Sequence, residues 1–334
     1  MTSRTRILVA AALVIVLLGG YAIYWWIVAG KLDQGIDDWA AAQRQAGLTL
    51  EFERTAVTGF PFTFRATFRH PRIAGVAGGQ RFDWTGPDVQ ADVSPIDLTR
   101  VRLRSPGHHV IDLGAGPATL DAQALEVLLG PGSAAATFAA VNVTLPDRRT
   151  IGAGAGTASL VLPPAPESDR NPLLQFAFAA TDLRLPEGTM LLTADPLGEA
   201  RIAGTVKGPM PMAPLREALA SWRDAGGTVE VTDFAVAQAT LAVSGSATVA
   251  LDENLQPIVA ANLKARGLSE TLDLLASQRR LYPEDALKMK LFVKGAERDT
   301  KNGYKEVATG LTIQGGYLAW GPFKLAKVPP VEWP

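Results

Sequence analysis

The chain has 334 residues, of which 19% are charged, with 32 Lys and Arg against 33 Asp and Glu for a formal net charge of −1. That balance supplies no global field for nucleic acid, and the lack of cysteine excludes disulfides, thiolate chemistry and Cys-ligated zinc. The three histidines, His70, His108 and His109, argue against a His-based metal site, because in a strand His108 and His109 point to opposite faces.

The first element is apolar. Ile7 to Ala29 is a run of 23 residues without a charge. As a helix it rises about 35 Å, enough to cross a hydrocarbon core of about 30 Å. Arg4 and Arg6 precede it, while Lys31 is followed by Asp33, Asp37 and Asp38. Basic residues favour the cytoplasmic side, which predicts an inside N-terminus and a body on the far side. Tyr21, Tyr24, Trp25 and Trp26 sit at the outer end, as in an aromatic belt. The rival reading is a cleaved signal peptide. It requires a core of about 7–15 residues followed by a small-x-small site, and here the core is longer and ends in bulky aromatics.

Lys31 to Ala46 continues the helix, with Ile36, Trp39, Ala40 and Gln43 on one face and Gly47 as its stop. The period then changes to two. Leu48, Leu50 and Phe52 alternate with polar residues, and after Gly59-Phe60-Pro61 the residues Phe62, Phe64, Ala66 and Phe68 do the same until Pro71. Strands are predicted at Val89–Val93, Arg100–Arg104, Ala118–Leu128, Thr137–Leu145, Thr157–Leu162 and Leu174–Leu185, with Asp121–Leu129 open to a helical reading. A strand at Ala200–Lys207 precedes an amphipathic helix, Pro214–Ala225, lined by Leu215, Leu219 and Trp222 and closed by Gly226-Gly227. Strands at Thr228–Ala237, Thr240–Leu251 and Ile258–Ala265 follow, the last two joined by the turn Asp252–Pro257. Helices are predicted at Leu268–Leu281, capped by Ser269, and at Pro283–Leu291. A strand pair, Glu306–Ile313 and Tyr317–Leu325, closes the chain.

The fold class is therefore α+β. One N-terminal transmembrane helix leads into mostly antiparallel β-meander, forming curved open sheets with a few amphipathic helices. The organisation reads as a cytoplasmic tail at 1–6, a transmembrane helix at 7–29, a membrane-proximal helix at 30–47, a first β-rich half at 48–195 and a second α+β half at 196–334, with the boundary near Pro186–Pro196. No tight repeat marks a solenoid.

Few motifs point to chemistry. Gly152-Ala153-Gly154-Ala155-Gly156-Thr157 superficially resembles a phosphate loop, but the residues after it, ending in Pro163-Pro164, cannot form the required helix, so a flexible turn is expected. There is no Walker motif, His-Glu-x-x-His or Gly-x-Ser-x-Gly elbow, and the carboxylates are scattered. No catalytic residue, cofactor or metal is assigned. Phe60, Phe62, Phe64 and Phe68 form a stripe that could line an apolar groove for acyl chains, although ordinary core explains it as well. Arg100, Arg102 and Arg104 form a basic stripe suited to anionic lipid headgroups or polysaccharide, and a solvated strand face is the alternative. Arg279, Arg280, Lys288, Lys290 and Lys294 lie on or near the late helices and read in the same two ways.

Several segments together resemble the bacterial domain-of-unknown-function family 2125, of the alphaproteobacterial type. They are Gly59-Phe60-Pro61-Phe62, Trp222-Arg223-Asp224-Ala225-Gly226-Gly227, Leu251-Asp252-Glu253-Asn254-Leu255-Gln256-Pro257 and the run Leu311 to Pro322. These are turn-and-strand signatures, and none names a reaction. More distantly, one anchor followed by long β-meander is similar to the AsmA-like envelope proteins, which would imply a curved sheet with an apolar concave side for lipid handling.

The expectation is a single-pass protein of the bacterial inner membrane, N-terminus cytoplasmic and body periplasmic, that is non-enzymatic and binds lipid or maintains the envelope. Its partners would be inner-membrane lipid and other envelope proteins, with no nucleic acid. An interaction scaffold working by edge-strand addition is the alternative, and an envelope hydrolase with an unfamiliar site is the third reading.

Overall fold

The computed structural model describes residues 3–77, 79–186, 196–299, 305–320 and 323–333. The chain folds as two compact units, one comprising residues 1–117 with 125–131, the other 118–124 with 132–334. The expected boundary near Pro186–Pro196 lies largely on residues 187–195, outside the described residues.

The first unit opens with α1, Ser3–Gln45, one uninterrupted helix. Its stretch from Leu13 onward is long and apolar enough to span a membrane, and its hydrophobic window is almost wholly unburied within the protein. One face of its later turns is covered: Trp25, Ala29 and Ala40 are buried, and Leu32, Ile36 and Gln43 are half-buried. Trp39, placed on that face by the sequence reading, is half exposed. The helix ends where Leu48 N–H donates to the Gln43 carbonyl at 3.1 Å and Gly47 N–H to the Arg44 carbonyl at 3.1 Å, a Schellman pair.

Six strands follow, β1 Thr49–Arg54, β2 Phe64–Ala77, β3 Gln80–Thr85, β4 Val89–Ser94, β5 Asp97–Arg104 and β6 Gly107–Asp112, and then β7 Pro117–Gly130, which is shared between the units, residues 118–124 belonging to the second. The Asp121–Leu129 ambiguity resolves as strand, within β7. β2 does not stop at Pro71 as expected. Its first part, Phe64–Phe68, pairs antiparallel with β4, and its second, Arg72–Ala77, with β3. Pro71 sits where the partner changes, so its missing N–H costs no ladder bond on that side. β1 runs along the other side of β2, β3 pairs β6, and β4 pairs β5, whose Val101–Arg104 pairs Glu126–Leu129 of β7. β3 and β6 were not expected from sequence.

The second unit is a long antiparallel meander. Its strands are β8 Ser133–Thr144, β9 Thr150–Val161, β10 Pro172–Leu183, β11 Leu197–Lys207, β12 Thr228–Gln238, β13 Leu241–Leu251, β14 Pro257–Arg266, β15 Glu297–Asp299, β16 Lys305–Gln314, β17 Tyr317–Trp320 and β18 Phe323–Lys327. Consecutive strands pair from β8 to β14; β14 then pairs β16, which leads to β17 and β18, with the short β15 also beside β16. The run Gly152–Thr157 is not a turn but the middle of β9. Its glycines serve close packing: a Cβ on Gly156 would stand 2.3 Å from the Phe138 ring and 2.4 Å from the Ala179 carbonyl oxygen. Phe138 in turn stacks with Phe178 at 6.2 Å between centroids.

Three helices belong to this unit: α2 Leu215–Asp224, α3 Leu268–Ser277 and α4 Pro283–Ala296. Pro214 precedes α2, and Ala218, Leu219 and Trp222 form its buried face, whereas Leu215 is exposed. Ser269 does not cap α3. Gly267 holds that position, and the Ser269 hydroxyl lies 3.4 Å from Glu297 Oε1. Leu272, Val293 and Val307 make the small core that joins α3 and α4 to β16. The expected strand Tyr317–Leu325 is split between β17 and β18.

Candidate functional site

Several aromatic residues of the first unit gather on α1 around Tyr21 to Trp25, midway along the helix. Gly59, at φ +100°, lets the chain reverse before β2, and a Cβ there would stand 2.6 Å from Thr63 Cγ2 and 2.7 Å from its carbonyl oxygen. Phe64, only 2% exposed, stacks on Trp25 with centroids 5.2 Å apart. Phe60 meets Trp25 edge-on at 5.5 Å and Tyr21 at 6.3 Å. The Tyr21 hydroxyl donates to the Pro61 carbonyl, and the Tyr24 hydroxyl donates to the Pro95 carbonyl at 2.9 Å.

The four phenylalanines of the expected groove therefore do not share one. Phe60 and Phe64 pack on the helix, Phe68 meets Phe52 edge-on at 5.2 Å, and Phe62 stands 86% exposed in the turn before β2. A second clamp lies about two to three turns further along α1. Arg54 of β1 binds Asp33 and reaches both carboxylate oxygens of Asp37 at 2.9 Å, and Val57 N–H donates to Asp33 Oδ1 at 3.3 Å.

Phe62 also forms one wall of a recess of about 400 Å³. The period-two spacing of Arg100, Arg102 and Arg104 turns all three into it, and β2, β4 and β5 add Arg65, Asp92 and Asp97. Arg65 and Asp92 stand directly opposite across the β2–β4 ladder and form a two-point pair at 2.6 and 3.2 Å. Arg104 bridges Asp92 at 2.7 Å and Glu126 of β7 at 3.0 Å, and Arg102 takes the other Glu126 oxygen at 3.0 Å. Arg100 reaches Asp97 only at 3.7 Å. The hydrogen bonds and charge of Asp92 hold the Arg65 guanidinium above its ordinary range, while donation from the Thr99 hydroxyl and N–H holds the Asp97 carboxyl below its own.

The recess thus sets four guanidinium groups against two carboxylates, Asp92 and Asp97, with Glu126 of β7 pairing two of the arginines from beside it. Arg65 and Arg104 are the most engaged, and Arg100 and Arg102 are the more exposed. Sequence reasoning found the arginine stripe but missed Arg65, Asp92, Asp97 and Glu126. The available signal was alternation of charge on neighbouring strands, which becomes readable only once the register is known.

Several polar residues elsewhere hold the fold. Trp222 Nε1 donates to the Lys207 carbonyl at 2.7 Å, and Arg223 donates to the carbonyls of Asp252 and Glu253 at 3.3 and 2.9 Å. Two of the signature segments therefore meet, Trp222–Gly227 and Leu251–Pro257. Within the second, Asp252 Oδ1 accepts from Asn254 and Gln256 N–H, each at 2.8 Å. Of the late basic residues, Lys290 pairs with Asp273 at 2.7 Å and Lys288 approaches Asp285 at 3.7 Å. His109 is buried, its Nε2 2.9 Å from the Ser105 carbonyl oxygen, while its neighbour His108 faces the exposed side of β6. Among the described residues no group of three or more His, Asp or Glu is placed to hold a metal ion.

No curated protein and no solved structure matches the chain. The likeness to AsmA-like envelope proteins therefore gains no support from relatives. A family model does match, over residues 25–329, starting at the tryptophan that stacks on Phe64 and covering both units. The chain belongs to the family described as an uncharacterized protein conserved in bacteria, domain of unknown function 2125.

Proposed function

We propose that this protein is a non-enzymatic, lipid-binding component of the bacterial envelope. In this reading it is anchored by α1 in the inner membrane with its N-terminus cytoplasmic and its body periplasmic. The observation that carries the reading is the arginine-lined recess beside Phe62, in the unit several of whose aromatic residues are packed around Tyr21 to Trp25 of a membrane-length helix. An anionic phosphate headgroup suits planar guanidinium donors. Arg100, whose contact with Asp97 is long, is the donor best placed to turn to it, and the half-exposed Arg102 could follow by releasing Glu126, with Arg65 and Arg104 holding the frame. Basic residues near a membrane surface contribute about 1 kcal/mol each toward anionic lipid.

The test is retention of lipid by full-length protein purified from membranes mixing phosphatidylglycerol and phosphatidylcholine. Phosphatidylglycerol should be enriched in the bound fraction, and the double variant Arg100→Ala/Arg102→Ala should lose that enrichment. Equal enrichment in both proteins would remove the headgroup site. Cleavage of the body by protease added to spheroplasts, but not to inverted vesicles, is expected for the periplasmic orientation.

An interaction scaffold is the second reading. It is favoured by α4, where Leu287, Met289, Leu291 and the preceding Tyr282 are exposed. Crosslinking through this helix in cells that captures no envelope protein would argue against it.

A further inference from the structure

We infer that the two turns flanking α1 around Tyr21 to Trp25, carrying Phe62 and Ile96, are inserted into the lipid leaflet on the body's side of the membrane. The inference rests on α1 crossing a bilayer, but not on the headgroup site. The first support is length. From Ile7 to Gly20 the helix has 14 charge-free residues before Tyr21, where the body is already bound. That is about 21 Å of helix, well short of a hydrocarbon core of about 30 Å. Extending the span to Trp26 restores the length. The hydrocarbon boundary then lies above the level at which Tyr21 and Tyr24 hold Pro61 and Pro95. The body docks on the helix below the membrane surface rather than above it.

The second support is the chemistry of the turns. Their tips are apolar and uncovered: Phe62 is 86% and Ile96 95% exposed, and Trp26, next to Trp25 on α1, is largely exposed too. In lipid, backbone polar groups need partners within the protein. Pro61 and Pro95 have no N–H to satisfy. Their carbonyls accept from Tyr21 and Tyr24. Phe62 and Thr63 N–H both donate to the Gly59 carbonyl, at 3.1 and 3.0 Å, and Ile96 N–H lies 3.4 Å from Ser94 Oγ. Two turns with apolar tips, whose prolines lack an N–H and whose tip N–H groups are partnered within the turn, suit acyl chains. Continuity with the lipid-facing surface of α1 makes those chains the occupant. Phe62 and Asp97 also line the arginine recess, so insertion would place it at headgroup height.

Because the chain has no cysteine, single cysteines report cleanly. Full-length Phe62→Cys, Ile96→Cys, Leu17→Cys and Val76→Cys proteins, each carrying an environment-sensitive fluorophore, would be reconstituted in phosphatidylcholine nanodiscs with and without bromine on the acyl chains. All four side chains are exposed, so the substitutions leave the core intact. Leu17 lies in mid-span; Val76 is twelve residues beyond Phe64 on β2, about 40 Å of strand away. Blue-shifted emission quenched by bromine is expected at Phe62 and Ile96, as at Leu17, with Val76 unquenched. Quenching at Leu17 alone would overturn the insertion and leave the anchor standing. Blue-shifted but unquenched emission at Phe62 and Ile96 would assign the tips to a protein contact and also overturn it. A water-exposed Leu17 would remove the anchor and this inference together. Zwitterionic lipid keeps the outcome independent of headgroup recognition.

Discussion

Trp25 of α1 and Phe64 of β2 are stacked, with centroids 5.2 Å apart and planes inclined by 23°. Both are almost completely buried, and Ala29, Val28, Leu32, Val57 and Val93 close around them. This pair couples the helix to the strands of the first unit, because it joins the last apolar turns of α1 to the strand that contacts β1, β3 and β4.

Removing either ring should therefore loosen the first unit. Phe64→Ala and Trp25→Ala are each expected to cost about 3–5 kcal/mol, from lost transfer energy and the cavity left behind. Thermal unfolding of the detergent-solubilised protein checks this. The double variant should cost less than the sum of the singles, because the stacking contact can be lost only once.

Arg54→Ala should act on the same joint through its polar side. Asp33 would lose its charged partner, and about 2 kcal/mol is expected from the charged hydrogen bonds removed. Faster amide exchange at Val57, whose N–H donates to Asp33, is the local readout. Arg54→Lys should recover only part, since one ammonium cannot serve Asp33 and both Asp37 oxygens as a fork does.

Within the recess, the arginines should separate by role. Arg104→Ala leaves Asp92 and Glu126 each short of a partner and should lower the melting temperature. Arg100→Ala should leave it unchanged, because its contact with Asp97 is long and exposed. A melting temperature lowered equally by both substitutions would contradict this division.

Acid should weaken the β2–β3 ladder. The two-point hydrogen bond from Arg72 to Asp83, at 3.1 and 2.7 Å, holds the Asp83 carboxyl below its ordinary value of 3.8. A depressed carboxyl contributes stability above the unfolded value, near 4, and loses it as pH falls through the lower folded value. The melting temperature should decline below about pH 4, and the decline should be shallower in Asp83→Asn.

Gly156→Ala should destabilise the second unit by about 1–3 kcal/mol through overpacking against Phe138. The contact behind this prediction explains why only the end of β9, from Thr157 onward, could be read from sequence. Glycines alternating with alanines resemble a loop, and the ring that requires them comes from β8. β3 and β6 were hidden for a related reason. Gln80–Thr85 and Gly107–Asp112 are short and carry Arg81, Asp83, His108 and Asp112 within the strand, and β3 is held partly by the cross-strand pair Arg72–Asp83. By contrast, Phe64, Ala66 and Phe68 showed the start of β2, Pro214 and Gly226 bracketed α2, and the charge-free run showed α1. Those signals are local. The arginine stripe was equally legible, but the counter-charges of Arg102 and Arg104 come from β4 and β7, and only the register reveals them.

Between the last residue of α1 and the first of β1 stand only Ala46, Gly47 and Leu48, tied back by the Schellman bonds. With α1 in a bilayer, the first unit rides on a stiff post rather than a leash. It cannot sweep a hemisphere of space in search of a target or change its depth relative to the bilayer. Its encounters would be those of a body diffusing in a plane with one side always turned to the membrane, so anything that engages it must arrive at that fixed level.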